Sequence, residues 1–190
     1  MQASCKVVRG ILFFNMVVKD KEFEKFISSE EITERIKSLA ATINSDYADK
    51  KPLFVAILNG SFMFAADLMK EINIPCEISF VKVASYQEME SSGNVKQLIG
   101  LNENIFKKDV IILEDIVDTG RTISKILEEF KSLGASSVEV VTLLQKPACN
   151  TSGEPLKYIG FDIPEKFVVG YGLDYDGLGR NLKDIYQLSE

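Results

Sequence analysis

Between residues 110 and 123 the chain reads VIILEDIVDTGRTI, an apolar run that turns acidic at Glu114 and Asp115 and continues through Asp118-Thr119-Gly120-Arg121-Thr122. A buried parallel strand explains the apolar residues, because such strands read as continuous hydrophobic runs. It does not explain two adjacent carboxylates. The vicinal hydroxyls of a ribose, or a Mg²⁺ bridging that ribose to a phosphate, would use both acids as acceptors and oxygen ligands. A solvated strand end is the bland alternative. The stretch from Asp118 to Thr122 falls between strand end and helix start, where unpaired backbone N–H groups and the positive end of a helix dipole converge on an anion. Gly120 permits close backbone approach, and the hydroxyls of Thr119 and Thr122 can donate further bonds. The spacing is not that of a Walker A loop. An ordinary N-cap, with Thr122 capping and Asp118 favouring the dipole, would use the same residues.

Histidine is absent. Ser-His-Asp triads, Cys-His pairs and His-ligated metals are thereby excluded, so chemistry must run on carboxylates, Lys, Tyr, backbone amides or a bound ion. The net charge of −6 gives no electrostatic footprint for nucleic acid. No window approaches the roughly 20 apolar residues of a membrane span. Cys5, Cys76 and Cys149 are too few and too scattered for a disulfide framework or a zinc site, which fits a reducing cytoplasm. Residues 1 to 20 lack a small-residue cleavage site and read as mature protein.

Elements must position these groups. Ser28-Ser29-Glu30-Glu31 is a capping-box signal, and Ile32, Ile36, Leu39, Ala40 and Ile43 follow at helical spacing, which predicts a helix from Ser28 to Lys50. Leu53 to Leu58 reads as a buried strand, Asn59-Gly60-Ser61 as a turn and Phe62 to Ile72 as a helix. Cys76 to Ser85 reads as a strand with Ile78, Phe80 and Val83 inward. Val110 to Asp115 is the acidic strand, and Thr122 to Leu133 a helix that buries Ile123, Ile126, Leu127 and Phe130 and stops at Gly134. Val138 to Leu144 is a further strand. Alternation of this kind predicts an α/β fold with a central parallel sheet flanked by helices, whose ligands sit beyond the carboxyl ends of the strands near a switch in strand order. The 190 residues fit one domain, with its core at about residues 28–150. The N-terminal segment and residues 155–190, with short β-like pieces at Tyr158–Phe161, Phe167–Gly170 and Ile185–Leu188, are expected to form a small hood. Tyr86 to Asp109 has no periodicity and is long for a connection. It is either a flexible lid or an irregular hairpin with some strand around Lys96 to Leu101.

An apolar strand, two acids, two apolar residues and then D-T-G-[KR]-T resembles the phosphoribosyl-pyrophosphate signature of the type I phosphoribosyltransferases. The resemblance runs from Leu53 to Leu188 through LNGSFMFAADL, Ser85-Tyr86, LLQKPA and FVVGYGLDYDGLGRNL, and narrows to the hypoxanthine-guanine branch. It implies transfer of 5-phosphoribosyl from phosphoribosyl pyrophosphate to N9 of a 6-oxopurine, with Mg²⁺ as cofactor and a homodimer or homotetramer as the assembly. Glu114 and Asp115 would hold the ribose hydroxyls, directly or through Mg²⁺. Ile116 and Val117 belong to the same phosphoribosyl site, and Asp118 to Thr122 cradle the 5′-phosphate. Asp118 would also handle the proton at purine N7.

By the same resemblance, Lys146 would donate to the 6-oxo group, Phe167 would stack on the base, and Lys166 and Val168 would present backbone groups to its edge. Asp174 would ligate a second Mg²⁺ on pyrophosphate, which Arg180 would grip. Ser85 and Tyr86 would hinge the lid and keep water out. Many relatives carry a basic residue where Asn59 stands, so here the Asn59-Gly60 backbone, a peptide that can be cis in the family, would serve pyrophosphate instead. The alternative function is that of a nucleotide-sensing regulator on the same fold, which the retained Asp118, Lys146 and Asp174 argue against.

Overall fold

The computed structural model describes residues 2–8, 11–83, 98–99, 101, 103–151, 153 and 156–189. Ser85 and Tyr86, the expected lid hinge, and the rest of the loop to residue 97 lie outside those residues. The chain opens with β1 (Gln2–Val8), β2 (Ile11–Val18) and β3 (Lys21–Ile27), paired antiparallel in that order. Helix α1 (Ser29–Asp46) follows. Its N-terminus is the capping box read from the sequence: the Ser28 hydroxyl accepts from the Glu31 N–H, and the Glu31 carboxylate accepts from the Ser28 N–H. The five residues at helical spacing are all buried. The helix stops before the expected Lys50, because Tyr47 caps it and turns its ring into the core.

Five parallel strands form the centre: β4 (Leu53–Leu58), β5 (Glu77–Val83), β7 (Asp109–Val117), β8 (Ser137–Gln145) and β9 (Tyr158–Asp162), with the short β6 (Leu98–Ile99) antiparallel at one edge. The order is β6-β5-β4-β7-β8-β9. Helices α1 and α2 (Phe62–Glu71) cover one face, and α3 (Arg121–Ser132) covers the other. Gly134 ends α3 with a positive φ of 79°, a conformation glycine adopts without a Cβ penalty.

Two expectations are corrected. In β5 it is Ser79 and Val81 that are buried, whereas Ile78 and Phe80 are 38% and 44% exposed. The reason is coverage: α2 packs over β4 and β7, leaving the next strand out bare on that face, while Val81 joins the α3 side. Also, β9, assigned from sequence to the hood, completes the parallel sheet beside β8. The remaining pieces, β10 (Val168–Val169) and β11 (Ile185–Leu188), do join the N-terminal strands, in a second sheet ordered β1-β2-β3-β11-β10.

The strand order reverses between β4 and β7, since the chain runs from β4 outward to β5 and then returns to β4's other side. That reversal is the switch point at which open parallel sheets bind ligands. Here it is also a fork. Pairing of β4 with β7 stops at Ala56 and Leu113; beyond it β4 stays with β5 as far as Leu58, and β7 stays with β8 as far as Val117.

Candidate active site

The acidic pair lines that fork. Sequence reading ended the strand at Asp115, but β7 continues to Val117, so both acids stand within it, just past the point where β4 leaves, and alternation along the strand turns them to opposite sides. Glu114 is buried, and its Oε2 has no hydrogen-bond partner among the described residues. Burial, and secondarily the charge of Asp115, push its pKa well above the ordinary carboxylate range. Burial likewise raises Asp115 to about 6, against the opposing pull of its own N–H, the Ile116 N–H and Arg180. A buried carboxylate oxygen without a donor is costly unless a cation or a hydroxyl arrives to satisfy it.

Two loops meet beside Asp115. A Cβ on Gly60 would lie 1.6 Å from the Asp115 Oδ2, and a Cβ on Gly172 would lie 2.0 Å from the Gly60 carbonyl oxygen. Glycine is therefore required at Gly172, whose neighbour is backbone, whereas at Gly60 a Cβ would have to displace the Asp115 carboxylate; the Gly172 contact was missed in the sequence because nothing in FVVGYG marks its neighbour. The Gly60 loop contains a cis peptide at Leu58–Asn59, one bond earlier than the sequence comparison placed it. Asn59 itself is exposed.

Helix α3 begins differently from α1. Its N-cap is Gly120, at φ 75°, with no side-chain cap, so Thr122 does not cap it. Its first turn holds no acid. The N–H groups at this end, with Thr119 exposed beside them, are left for an anion. Helix α2, which follows the Asn59–Ser61 loop, also lacks a side-chain cap, because the Ser61 hydroxyl donates back to the Ile57 carbonyl. Two helix N-termini thus open onto one fork, an arrangement suited to a ligand carrying phosphates at both ends.

On the β8 side, Lys146 donates to Asp118 at 3.0 Å. The lysine is largely enclosed and the aspartate half-exposed. Their loops are tied by the Lys146 N–H to the Val117 carbonyl and the Thr151 N–H to the Thr119 carbonyl. Cys149, which the sequence reading did not place in the site, has its thiol near Glu165 and Asp118. Partial burial, and then Glu165, raise its pKa. Phe167 is 45% exposed, Val168 buried, and the Lys166 N–H is taken by the Pro164 carbonyl. A half-exposed aromatic is not a core residue, and this one has a free surface for stacking.

Asp174 and Arg180 meet at 2.6 Å, with the Gly172 carbonyl accepting a second Arg180 N–H and the Gly177 N–H donating to Asp174. Both charges act on Asp115, so this loop closes the fork from the hood side. Among the described residues no group of three acidic, Cys or His side chains forms a ready cation cage. Mg²⁺ is commonly held by one or two carboxylates, with substrate phosphates and water completing its octahedron. The orphaned Glu114 oxygen beside Asp115 suits that mode. No described helix is long and apolar enough to cross a membrane.

Residues 28–176 match the phosphoribosyl transferase domain model. The chain is 42% identical over 157 residues to the hypoxanthine-guanine phosphoribosyltransferase of Bacillus subtilis, covering 82% of this chain and 87% of that protein. The enzyme of the same name from Streptococcus thermophilus is 41% identical over 173 residues, covering 90% and 96%. A crystal structure of a hypoxanthine phosphoribosyltransferase from Staphylococcus aureus superposes with a TM-score of 0.81 at 42% identity, over 87% of this chain and 91% of the other. A fork that holds a buried glutamate beside a partly buried aspartate between two uncapped helices, on this sheet order and at this level of identity, places the chain in the phosphoribosyltransferase family, on its hypoxanthine-guanine branch.

Proposed function

We propose that the enzyme transfers the 5-phosphoribosyl group of phosphoribosyl pyrophosphate to N9 of hypoxanthine and guanine, forming IMP or GMP and releasing pyrophosphate. The observation that carries this is the fork itself: an unsatisfied, buried Glu114 beside Asp115, flanked by two helix N-termini without side-chain caps.

The 5′-phosphate is received by Asp118 to Thr122 at the start of α3, and pyrophosphate by Asn59-Gly60 and Arg180. Glu114 and Asp115 take the ribose hydroxyls. Glu114 and Asp115 would hold one Mg²⁺ and Asp174 a second, and their charge would stabilise the departing pyrophosphate. For that, Asp174 exchanges part of its contact with Arg180, freeing the guanidinium fork for phosphate oxygens. The bond from the anomeric carbon to pyrophosphate breaks with its electron pair, and N9 supplies the pair for the new bond. Asp118 accepts the proton lost from N7 as the ring gains positive character. Lys146 starts from its ion pair with Asp118 and donates to the 6-oxo group, which a 6-amino group cannot accept in the same way. Phe167 covers the base face, with Lys166 and Val168 at its edge.

The same reading has the enzyme in the cytoplasm, supported by unpaired Cys76 and Cys149, and assembled as a homodimer or homotetramer, supported by the exposed Phe62, Ile78 and Phe80. The test is nucleotide formation with Mg²⁺ and phosphoribosyl pyrophosphate when hypoxanthine, guanine, xanthine and adenine compete. Hypoxanthine and guanine should be consumed and adenine left. Folded protein that binds the donor yet forms no nucleotide would overturn the assignment.

A further inference from the structure

The loop that carries Asp174 and Arg180 is gripped by a turn from the other end of the chain. Between β2 and β3, Lys19 pairs with Asp176, the Asp20 carboxylate accepts from the Tyr175 hydroxyl at 2.9 Å, and the Lys21 ammonium stands 4.9 Å from the Tyr175 ring centroid. Consecutive turn residues thus hold consecutive loop residues. The ring they hold is itself in use. Tyr175 meets Phe167 edge-on, with centroids 5.8 Å apart and planes at 81°, while Phe23 lies 6.3 Å from Phe167 and 6.2 Å from Tyr175. Phe23 is fully buried and anchors the cluster; Phe167 is flanked by both rings and keeps its remaining surface exposed.

We propose that Tyr175 is a positioning residue that orients the Phe167 ring for the purine, and that the Lys19–Lys21 turn fixes Tyr175 in that role. This rests on the assignment of Phe167 as the stacking ring. A half-exposed Phe with no neighbours would populate several rotamers, and binding a base against it would cost the entropy of choosing one. A ring already packed against two aromatics has lost much of that freedom before the base arrives. The exposed Lys19–Asp176 pair adds little, because ion pairs of that kind are screened and cost side-chain entropy. The phenol and the ring edge carry the effect. Its signature is selective: affinity for the base depends on Tyr175, while affinity for the donor, held at the fork, does not follow it in proportion.

The experiment measures KM for hypoxanthine and for phosphoribosyl pyrophosphate at saturating Mg²⁺, with thermal midpoints, for Phe167→Leu, Tyr175→Leu, Tyr175→Phe, Asp20→Asn and the Asp20→Asn/Tyr175→Leu double variant. Tyr175→Leu should raise the hypoxanthine KM about fivefold, with the donor KM moving less than about twofold. Tyr175→Phe keeps the ring edge and should recover most of that loss. Adding Asp20→Asn to Tyr175→Leu should have no further effect, since the carboxylate acts only through the phenol. A rise for Phe167→Leu but none for Tyr175→Leu would overturn the proposal and leave the stacking assignment standing. An equal rise in both KM values for Tyr175→Leu would also overturn it, showing that the tyrosine supports the whole loop. No rise for Phe167→Leu would remove the stacking assignment itself. Should Tyr175→Leu fail to fold, Tyr175→Phe and Asp20→Asn decide the matter, each raising only the hypoxanthine KM by about twofold.

Discussion

A methyl group on Gly60 would occupy the space of the Asp115 carboxylate, at 1.6 Å from its Oδ2. The aspartate is the softer partner, since its side chain can rotate and the backbone of Gly60 cannot withdraw from Gly172 behind it. Gly60→Ala should therefore fold, at a cost of about 1 to 3 kcal/mol for the displaced carboxylate. It should also weaken donor binding by roughly tenfold, the order of one charge-assisted hydrogen bond. Urea unfolding and donor titration check both; an unchanged donor affinity would mean that Asp115 does not work from its place against Gly60. The sequence made the acids legible, because two carboxylates on an apolar strand have no packing role. It could not reveal that Gly60 is demanded by Asp115 or that Lys146 is already paired with Asp118, because each contact joins loops far apart in the chain. Cys149 was not placed in the site for a similar reason: its neighbours Glu165 and Asp118 come from different loops.

At the scale of elements, the two long helices show how an N-terminus declares its use. Helix α1 satisfies its own first turn through Ser28 and Glu31, and that box was readable because it is local. Helix α3 carries a glycine in the capping position and no acid in its first turn, leaving its N–H groups for a ligand. The parity of β5 was not readable, because which face is covered depends on where α2 lies, and periodicity cannot report that. A further hidden joint fastens α1 to the hood. Asp184, 2% exposed, accepts from the Ser29 N–H and from Lys25, both at 2.8 Å, and from the Tyr186 hydroxyl. Burial opposes its ionisation, but the bonds from Lys25 and Ser29 outweigh it and hold the pKa below the usual 3.8. A depressed folded-state pKa gives stability that is present above the unfolded value and lost as pH falls through the folded one. Asp184→Asn should accordingly cost about 2 kcal/mol at pH 7, and the gap from the unaltered protein should close as pH drops below about 4. Urea unfolding at both pH values measures it; a gap that stays constant would show that shape and not charge holds the joint.

For the whole molecule, strand–helix alternation was enough to give the parallel sheet, but the tail's share in it was misread, because β9 is short and lies after the last helix. The consequence of the observed arrangement is that no single layer owns the site. The central sheet brings Asn59, Gly60, the stretch from Glu114 to Thr122, and Lys146, while the chain leading into and out of β10 brings Phe167, Asp174 and Arg180. On the proposed assignment, a donor bound at the fork bridges the two sheets, and its binding free energy becomes resistance to pulling them apart. At a donor concentration about 100 times Kd, mass action adds about 2.7 kcal/mol to the folded state, which for a chain of this length raises Tm by about 5 to 10 °C. The shift should shrink when Mg²⁺ is removed with a chelator, because the Glu114 and Asp115 carboxylates then face pyrophosphate without an intervening charge. It should shrink again in Arg180→Ala, which substitutes no residue of β4, β7 or α3 but removes the guanidinium on the hood side, with its bonds to Asp174 and the Gly172 carbonyl and its pull on Asp115. Thermal melting with and without donor, Mg²⁺ and the substitution reads all three; a full shift in Arg180→Ala would mean that the donor is held by the central sheet alone.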